Sequence, residues 1–475
     1  MEIRGHRSSR ILNVFTLGMI NVAATCGIRN LPVMAEYGFS SLFLILLAAI
    51  IFFIPVSLVS AELATGWPKA GGVFVWVKEA FGHRCGFLAI WLLWIENVIY
   101  YPALLSFIAA ALAYIFNPEL ANNTHYTLAV VLIVFWATTI VNLFGMRTSG
   151  WISMLGVIFG TLLPGVIIIG LGFSWITGGN PVQISFDLKS FIPSLTSPEQ
   201  LVFFTGIIVA LLGMEMSAVH ALDVKNPQKD YPRAILFSSL IILAFYILGA
   251  LAIAIVIPQA KISLVAGTLQ AFSYFVESYH ISWLVPCIAA LILIGSLGTL
   301  STWTAGPPKG LLAAARSGDL PPLFREINRH NMPVSLMLLQ AVVVSLLSLL
   351  FIFMPSVSSA YWILNVLIAQ LYLVMYILMF AAVIKLRYKK PNVERAYKIP
   401  GGKIGVWLVS GLGILSSVFV ILMGFFPPSQ IPTGNVAFYI TFLVVMIVVL
   451  CLGPSIILLF KRPKWQHPLE HEKTK

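Results

Sequence analysis

The stretch ATCGIRNLP at residues 24–32 decides how this chain folds. It lies within an apolar run, residues 11–35, that is long enough to cross a bilayer as a helix. Glycine and proline both weaken a helix, because glycine adds backbone freedom and proline removes a hydrogen-bond donor. The sequence therefore predicts a membrane-spanning helix that is interrupted near Gly27, next to the charged side chain of Arg29.

A second stretch, LGMEMS at residues 212–217, repeats this combination with Gly213 and Glu215 in another apolar run. Non-helical backbone is tolerated at membrane depth only where it lines a cavity or is buried in protein. Interrupted helices at corresponding positions of two halves are typical of inverted-repeat membrane folds. Because the two runs are the first and the sixth along the chain, we expect residues 1–176 and 200–386 to form two repeats of five spans.

The composition places the rest of the chain in lipid as well. Of its 475 residues 59% are hydrophobic and only 10% are charged, and the mean hydropathy is +0.95. We expect one all-α polytopic membrane domain of about twelve spans, with two additional helices in residues 405–460 and a short cytoplasmic tail at 461–475. The apolar windows predict spans at residues 11–35, 40–64, 86–115, 126–144, 151–176, 200–221, 234–257, 283–305, 334–354, 361–386, 405–426 and 435–460. Short interfacial helices are predicted at residues 73–80 and 267–277.

The basic residues predict how the chain is oriented. All 29 Lys and Arg residues except Arg29, Lys189 and Lys261 fall in the amino-terminal arm, the tail or every second connection. The positive-inside rule therefore predicts cytoplasmic termini. We expect a bacterial cytoplasmic membrane, because no targeting extension precedes the first span. The scatter of charge over seven segments argues against nucleic-acid binding, which needs basic residues gathered on one face.

Five acidic or basic side chains lie inside or close to the predicted spans. Arg29, Glu96 and Glu215 lie within spans, where a charge costs about 2.5 kcal/mol or more on insertion scales. We therefore interpret these three as functional residues. Glu36 and Glu62 lie near span ends, where snorkelling to the interface or end-capping explains them.

Several motifs occur in the order and at the topological places that are typical of one transporter group. They are AELAT at residues 61–65 with GGVFVWV at 71–77, GMEMSAVH at 213–220, KNPQKDYP at 225–232, GPPKG at 306–310 and AYKIPGGK at 396–403. On these motifs the chain resembles the amino acid–polyamine–organocation superfamily, and within it the bacterial glutamate/GABA antiporter family. The GPPKG motif is expected to open the loop after the eighth span.

The resemblance implies a five-plus-five inverted-repeat (LeuT-like) fold with broken helices 1 and 6. It also implies a central site between spans 1, 3, 6, 8 and 10 that works by alternating access. Its substrates are small amino acids, and no cofactor or metal is implied. The candidate substrate-binding residues are Thr25, Cys26, Gly27, Ile28, Arg29, Glu96, Gly213 and Glu215.

The roles within this site differ. The four residues at 25–28 are expected to meet a substrate carboxylate, and Gly213 and Glu215 to face its amine side or to orient the sixth span. Glu215 alternatively acts as a hydrogen-bond anchor between helices. Arg29 either pairs with the side-chain carboxylate of a substrate such as glutamate or forms a buried ion pair with Glu96 or Glu215.

The driving force is open between three mechanisms. The leading one is exchange of an amino acid such as glutamate for a decarboxylated or neutral counterpart. A proton-coupled symporter, in which Glu96 or Glu215 titrates, is the first alternative. Sodium coupling would use hydroxyl ligands on the eighth span, Ser296, Thr299, Ser301 and Thr302. An enzyme is disfavoured because the sequence has neither an H-E-x-x-H nor a G-x-S-x-G motif.

Overall fold

Helices account for nearly all of the regular structure in the part of the chain that the structure describes. The computed structural model describes residues 13–68, 71–145, 156, 158–193, 201–215, 224 and 226–466. We number the helices in chain order: α1 (Val14–Thr25), α2 (Leu31–Ala35), α3 (Ser40–Gly66), α4 (Val73–Phe81), α5 (His83–Phe116), α6 (Thr124–Leu143), α7 (Ile158–Thr177), α8 (Leu188–Phe191), α9 (Phe204–Ala210), α10 (Pro227–Val256), α11 (Gly267–Ser278), α12 (Leu284–Arg316), α13 (Val334–Phe353), α14 (Val357–Lys389), α15 (Gly402–Met423) and α16 (Val436–Leu459).

The spans match the sequence-based prediction closely. Within the described ranges ten helices are long and apolar enough to cross a membrane, and α1 with α2 forms one more span that is bent by 45°. The predicted sixth span, residues 200–221, is described only as far as Glu215 and contains α9 followed by a break. The predicted all-α polytopic fold is confirmed. The two predicted interfacial helices are present as α4 and α11.

Helix α10 begins earlier than its apolar window predicts, at Pro227 rather than at residue 234. Proline is favoured at the first helical position, where its missing N–H would have no partner in any case. The Asp230 carboxylate then accepts a hydrogen bond from the backbone N–H of Asn226 at 3.0 Å. The polar KNPQKDYP motif therefore starts a helix rather than only connecting two spans.

The expected loop at residues 306–310 is wrong, because α12 continues without a break through Pro307 and Pro308 to Arg316. The two prolines leave the carbonyls of Trp303 and Thr304, four residues earlier, without their helical N–H donors. Side chains from other helices supply donors instead. The Tyr101 hydroxyl donates to Trp303 O at 2.7 Å, and Gln340 Nε2 donates to Thr304 O at 3.2 Å.

Burial differs sharply between the helices. Helix α5 is the most deeply buried of the described spans, because 83% of the residues in its most apolar 18-residue segment are buried. It packs against α12 and α14. Helix α16 buries only 11% of its window. Apolar side chains that face outwards on such helices have lipid as their natural solvent. The interior of the protein therefore lies around α5, α12 and α14, and both helix breaks open onto it.

Candidate functional site

The first break separates α1 from α2. Cys26 and Gly27 are extended, and a short 3-10 turn at Ile28–Asn30 then leads into α2. The backbone N–H groups of Ile28 and Arg29 have no hydrogen-bond acceptor among the described residues. Donors of this kind are ready to bind an anionic group of a ligand.

The second break follows α9 and lies against the first one. Gly213 has φ +104°, a left-handed conformation that favours glycine, so the interruption at this position is built into the sequence. A Cβ atom added to Gly213 would lie 3.5 Å from the carbonyl oxygen of Ala24 in α1. The two interrupted helices are therefore in contact at their breaks.

The hydroxyl of Tyr246, on α10, joins the two breaks. It accepts a hydrogen bond from Gly27 N–H at 3.0 Å and lies within hydrogen-bonding distance of the carbonyl oxygens of Thr25 (2.6 Å) and Ala210 (3.0 Å). Its single proton can serve one of these carbonyls at a time. One tyrosine thus satisfies backbone groups that both interruptions set free.

Glu215 is held by two tyrosines of α14. The hydroxyls of Tyr372 and Tyr376 each donate to one carboxylate oxygen of Glu215. The Tyr376 hydroxyl also accepts a hydrogen bond from Gly213 N–H at 3.1 Å. The carboxylate therefore fastens the second break to α14, which is the geometry of the anchor role considered for this residue.

A cavity of about 140 Å³ lies between the breaks and is lined by both. Its volume is below the roughly 300–1,000 Å³ of pockets for drug-sized ligands, so it suits a small solute. Glu215 does not line it. The predicted site residues that do line it are Thr25, Cys26, Gly27, Ile28, Arg29, Glu96 and Gly213.

Arg29 projects into this cavity with only 8% of its surface exposed. Its Nη1 lies 3.4 Å from the Tyr361 hydroxyl, and its guanidinium carbon lies 4.5 Å from the centre of the Tyr100 ring. No carboxylate oxygen of the described residues lies within 4.0 Å of its nitrogens. The buried ion pair with Glu96 or Glu215 that the sequence left open is therefore not formed. Arg29 is held by the ring face of Tyr100 and the hydroxyl of Tyr361 instead.

Glu96 lines the same cavity from α5 and is 5% exposed. One of its oxygens accepts a hydrogen bond from Asn97 Nδ2 at 2.5 Å, and Asn97 also donates to Leu93 O at 2.8 Å. The cavity thus presents a guanidinium and a carboxylate that do not pair with each other. A zwitterionic ligand can offer a partner to both.

The two carboxylates near span ends do not snorkel, so that interpretation is wrong. Glu62 is fully buried and accepts hydrogen bonds from Arg387 Nε at 2.5 Å and from Ile399 N–H at 2.9 Å. Glu36 is 3% exposed and faces a separate cavity. Helix α14 and the connection after it cover Glu62, and the connections that line its cavity cover Glu36.

One of the four hydroxyls considered as sodium ligands has a partner in its own helix. Ser296 and Thr299 line the central cavity, and the Thr299 hydroxyl donates to the carbonyl of Gly295 in its own helix at 3.1 Å. This is the usual arrangement for a hydroxyl in a membrane helix. The side chain of Thr302 lies outside the described residues.

Comparison with known proteins identifies the family. The amino acid permease family matches residues 12–450 of the chain. The chain belongs to this family. It is 48% identical over 439 residues to an uncharacterised transporter of Legionella pneumophila, which covers 92% of this chain and 94% of the relative. It is 32% identical over 452 residues to a glutamate/gamma-aminobutyrate antiporter of Lactococcus lactis, which covers 94% of this chain and 90% of the relative.

A solved structure supports the same architecture. A mutant manganese transporter of Eremococcus coleocola aligns with a TM-score of 0.58 and covers 97% of this chain and 96% of its own. At 14% sequence identity this likeness shows the fold alone. The family match and the relatives identify the protein as a multi-pass membrane transporter of amino acids or amines.

Sequence reasoning missed several residues of the site in this permease. Tyr246, Tyr361 and Asn97 carry no formal charge, so the cost of burying a charge does not single them out. A buried tyrosine hydroxyl nevertheless needs a hydrogen-bond partner, and Tyr246 lies in the middle of an apolar span. That isolated hydroxyl was the available signal. The sequence does not show which groups this hydroxyl meets, because its partners at the first break, Gly27 and Thr25, lie more than 200 residues away from Tyr246.

Proposed function

We propose that this permease exchanges an acidic amino acid, such as glutamate, for a smaller amine-bearing counterpart, such as GABA, by alternating access. The observation that carries the proposal is the presence of Arg29 and Glu96 in one small cavity without an ion pair between them. The side-chain carboxylate of an acidic amino acid complements Arg29, and its ammonium group complements Glu96. A second carboxylate on the substrate can use the free N–H groups of the first break.

The unpaired charges also favour exchange, because they disfavour the conformational change of the protein without a bound substrate. Closing a dry cavity around a lone guanidinium and a lone carboxylate costs several kcal/mol. A bound zwitterion offsets this cost, so the closed state forms readily only with substrate inside. A ligand shifts a conformational equilibrium in just this way when it binds one state better than the other. The antiporter of Lactococcus lactis among the relatives is consistent with this mechanism.

Proton-coupled symport is the second candidate, and one observation favours it. Among the described residues the Glu96 carboxylate has a single hydrogen-bond donor, the amide of Asn97. A proton could therefore neutralise Glu96 in place of a substrate ammonium group, which would let the protein return without a counter-substrate.

The membrane and the orientation are part of the proposal. We place the protein in a bacterial cytoplasmic membrane with both termini on the cytoplasmic side. The support is the distribution of Lys and Arg, which avoids every second connection except at Lys189 and Lys261.

Uptake into proteoliposomes tests exchange directly. Vesicles are loaded with glutamate, GABA or buffer alone, and the uptake of labelled glutamate is followed. We expect uptake at least tenfold faster into amino-acid-loaded vesicles than into empty ones. Uptake into empty vesicles that is driven by an imposed proton gradient would instead establish the symporter, and the Glu96→Gln variant should then abolish that gradient dependence.

The Arg29→Gln variant tests the role of the guanidinium. We expect it to lose at least 90% of glutamate uptake while keeping uptake of GABA, because only the acidic substrate needs the extra cation. Arg233→Gln, at an exposed position on α10, is the matched control and should behave as the unmodified protein. Equal loss of both substrates in Arg29→Gln would show that Arg29 does not select the acidic one.

A further inference from the structure

A second cavity, of about 500 Å³, lies on the face of the protein that carries few basic residues. It is formed by the turn between α2 and α3, the segment that precedes and includes α8, and the connection after α10. Its rim is exposed at Gln183, Ser185 and Ser429, whereas its floor is buried at Glu36 and Ile257. It is therefore a pit that solvent or lipid headgroups can enter, and it shares no lining residue with the central cavity.

Glu36 is the unusual residue of this pit. Its side chain is 3% exposed, and its buried Oε2 has no hydrogen-bond partner among the described residues, which also place no cation within 4.0 Å of the carboxylate. Its backbone groups are engaged instead, because the carbonyl accepts a hydrogen bond from Gln259 Nε2 at 2.7 Å and the N–H donates to Pro32 O at 3.2 Å. A buried carboxylate without a partner is costly, and proteins normally give such a group a cation or several donors. Glu36 has neither within the described part of the chain.

A second acceptor in the pit is also free. The amide oxygen of Gln430 is fully buried and has no donor among the described residues. The rest of the lining mixes apolar side chains, such as Ala35 and Ile262, with polar ones, such as Ser190 and Gln259. The pit thus combines two unused oxygen acceptors with a lining that is more polar than apolar. A ligand that satisfies it must bring hydrogen-bond donors and positive charge.

We propose that this pit binds a primary ammonium group, with the Glu36 carboxylate as its counter-ion. A bare metal ion fits less well, because calcium needs six to eight oxygen ligands and favours carboxylates, and the described residues contain no group of three or more His, Cys, Asp or Glu side chains that could hold a metal ion. The ammonium group can belong to a free alkylamine or to the headgroup of phosphatidylethanolamine. The proposal does not depend on the exchange mechanism, because it concerns a different cavity.

The electrostatics of the pit predict a proton-linked interaction. Burial raises the pKa of the Glu36 carboxyl, which lies between two spans, to about 8. The surrounding elements carry the neighbouring phenol of Tyr37 and the exposed charges of Asp187, Lys189 and Lys261, none of which forms an ion pair with Glu36. Below pH 8 the carboxyl is mostly protonated, so binding of an ammonium ion must release a proton. As the pH is raised towards 8, the affinity for the ammonium ion should therefore increase about tenfold per pH unit. Above pH 8 it should level off.

Calorimetric titration of ethylammonium chloride into the full-length protein tests this proposal. The protein is held in phosphatidylcholine nanodiscs, and buffers of different ionisation enthalpy report the protons released. We expect nearly one proton released per bound ammonium ion well below pH 8 and little or no release well above it. In Glu36→Gln, which resembles the protonated carboxyl in shape, this binding step should disappear, whereas Glu119→Gln, an exposed carboxylate outside the pit, should leave it unchanged.

Further arms separate the alternatives. Gln430→Met should weaken ammonium binding but keep the release of protons, because Glu36 is intact in this variant. A graded loss of this kind would show that the loss of binding in Glu36→Gln is not simply a folding defect. If phosphatidylethanolamine in the nanodiscs weakens ethylammonium binding, the lipid headgroup is a natural occupant; if it has no effect, the source is a free amine. Equal binding by the unmodified protein and Glu36→Gln, binding without proton release, or the same response to sodium chloride would overturn the proposal.

Discussion

The carboxylate of Glu215 illustrates how a single side chain can act on this site without lining it. Two tyrosine hydroxyls of α14 donate to it, and one of them, that of Tyr376, also binds the backbone of Gly213. In Glu215→Gln the amide offers one acceptor oxygen in place of two, so one hydroxyl proton is left without a partner. An unsatisfied buried polar group costs about 1–3 kcal/mol.

We therefore expect Glu215→Gln to lower the transport rate by tenfold or more and to change KM less than twofold. Tyr376→Phe should reproduce the effect, because it removes the link between Glu215 and Gly213. Initial rates over a range of substrate concentrations in proteoliposomes separate the two parameters. A large rise in KM at an unchanged maximal rate would place Glu215 in contact with the substrate instead.

At the scale of helices, α12 contains two prolines, and side chains of other helices donate hydrogen bonds to the carbonyls that these prolines leave without a donor. The Tyr101 hydroxyl donates to Trp303 O, the carbonyl that Pro307 leaves without a helical donor. Pro307→Ala would restore that helical donor and make the hydroxyl dispensable. The cost of Tyr101→Phe should therefore be smaller in the Pro307→Ala background.

A double-mutant cycle measures this coupling, which we expect to be about 0.6–1.7 kcal/mol in unfolding free energy, the range found for hydrogen bonds between membrane helices. Tyr126→Phe provides the matched control, because its hydroxyl donates to Ala109 O at 3.0 Å, in a helical segment that needs no replacement donor. Coupling of equal size for both tyrosines would show that the prolines are not what Tyr101 compensates.

At the scale of the whole molecule, Glu62 joins the first half of the chain to the connection after α14. Arg387 contacts both of its oxygens, Arg395 Nε lies 3.4 Å away, and all three side chains are largely buried. Glu62→Gln leaves this positive charge buried without compensation. Such a change costs about 3–5 kcal/mol.

Thermal unfolding of the purified protein should accordingly show a large loss of stability in Glu62→Gln. The matched change Glu79→Gln affects an ion pair with Lys390 whose side chains are 28% and 36% exposed, and it should cost no more than about 1 kcal/mol. Similar losses in the two variants would mean that burial of the Glu62 cluster does not govern its contribution.

The division into repeats at residues 1–176 and 200–386 stays a prediction. The class of fold, in contrast, could be predicted from the sequence. Hydrophobicity fixes which segments enter lipid, and Gly27 and Gly213 mark where two of them are interrupted, because these are local properties of the chain. The resemblance to the superfamily assigned eight candidate residues to one site, and seven of them line the central cavity.

The partners of those residues were decided only by the tertiary structure. Arg29 meets Tyr361, which lies 332 residues away, rather than Glu96 or Glu215. The helix end predicted at Pro307 does not exist, because Tyr101 and Gln340 supply donors from other helices. Glu36 looked like a carboxylate at an interface until three distant segments enclosed it. Local sequence sets the cost of burying a polar group, but only long-range packing determines what that group meets.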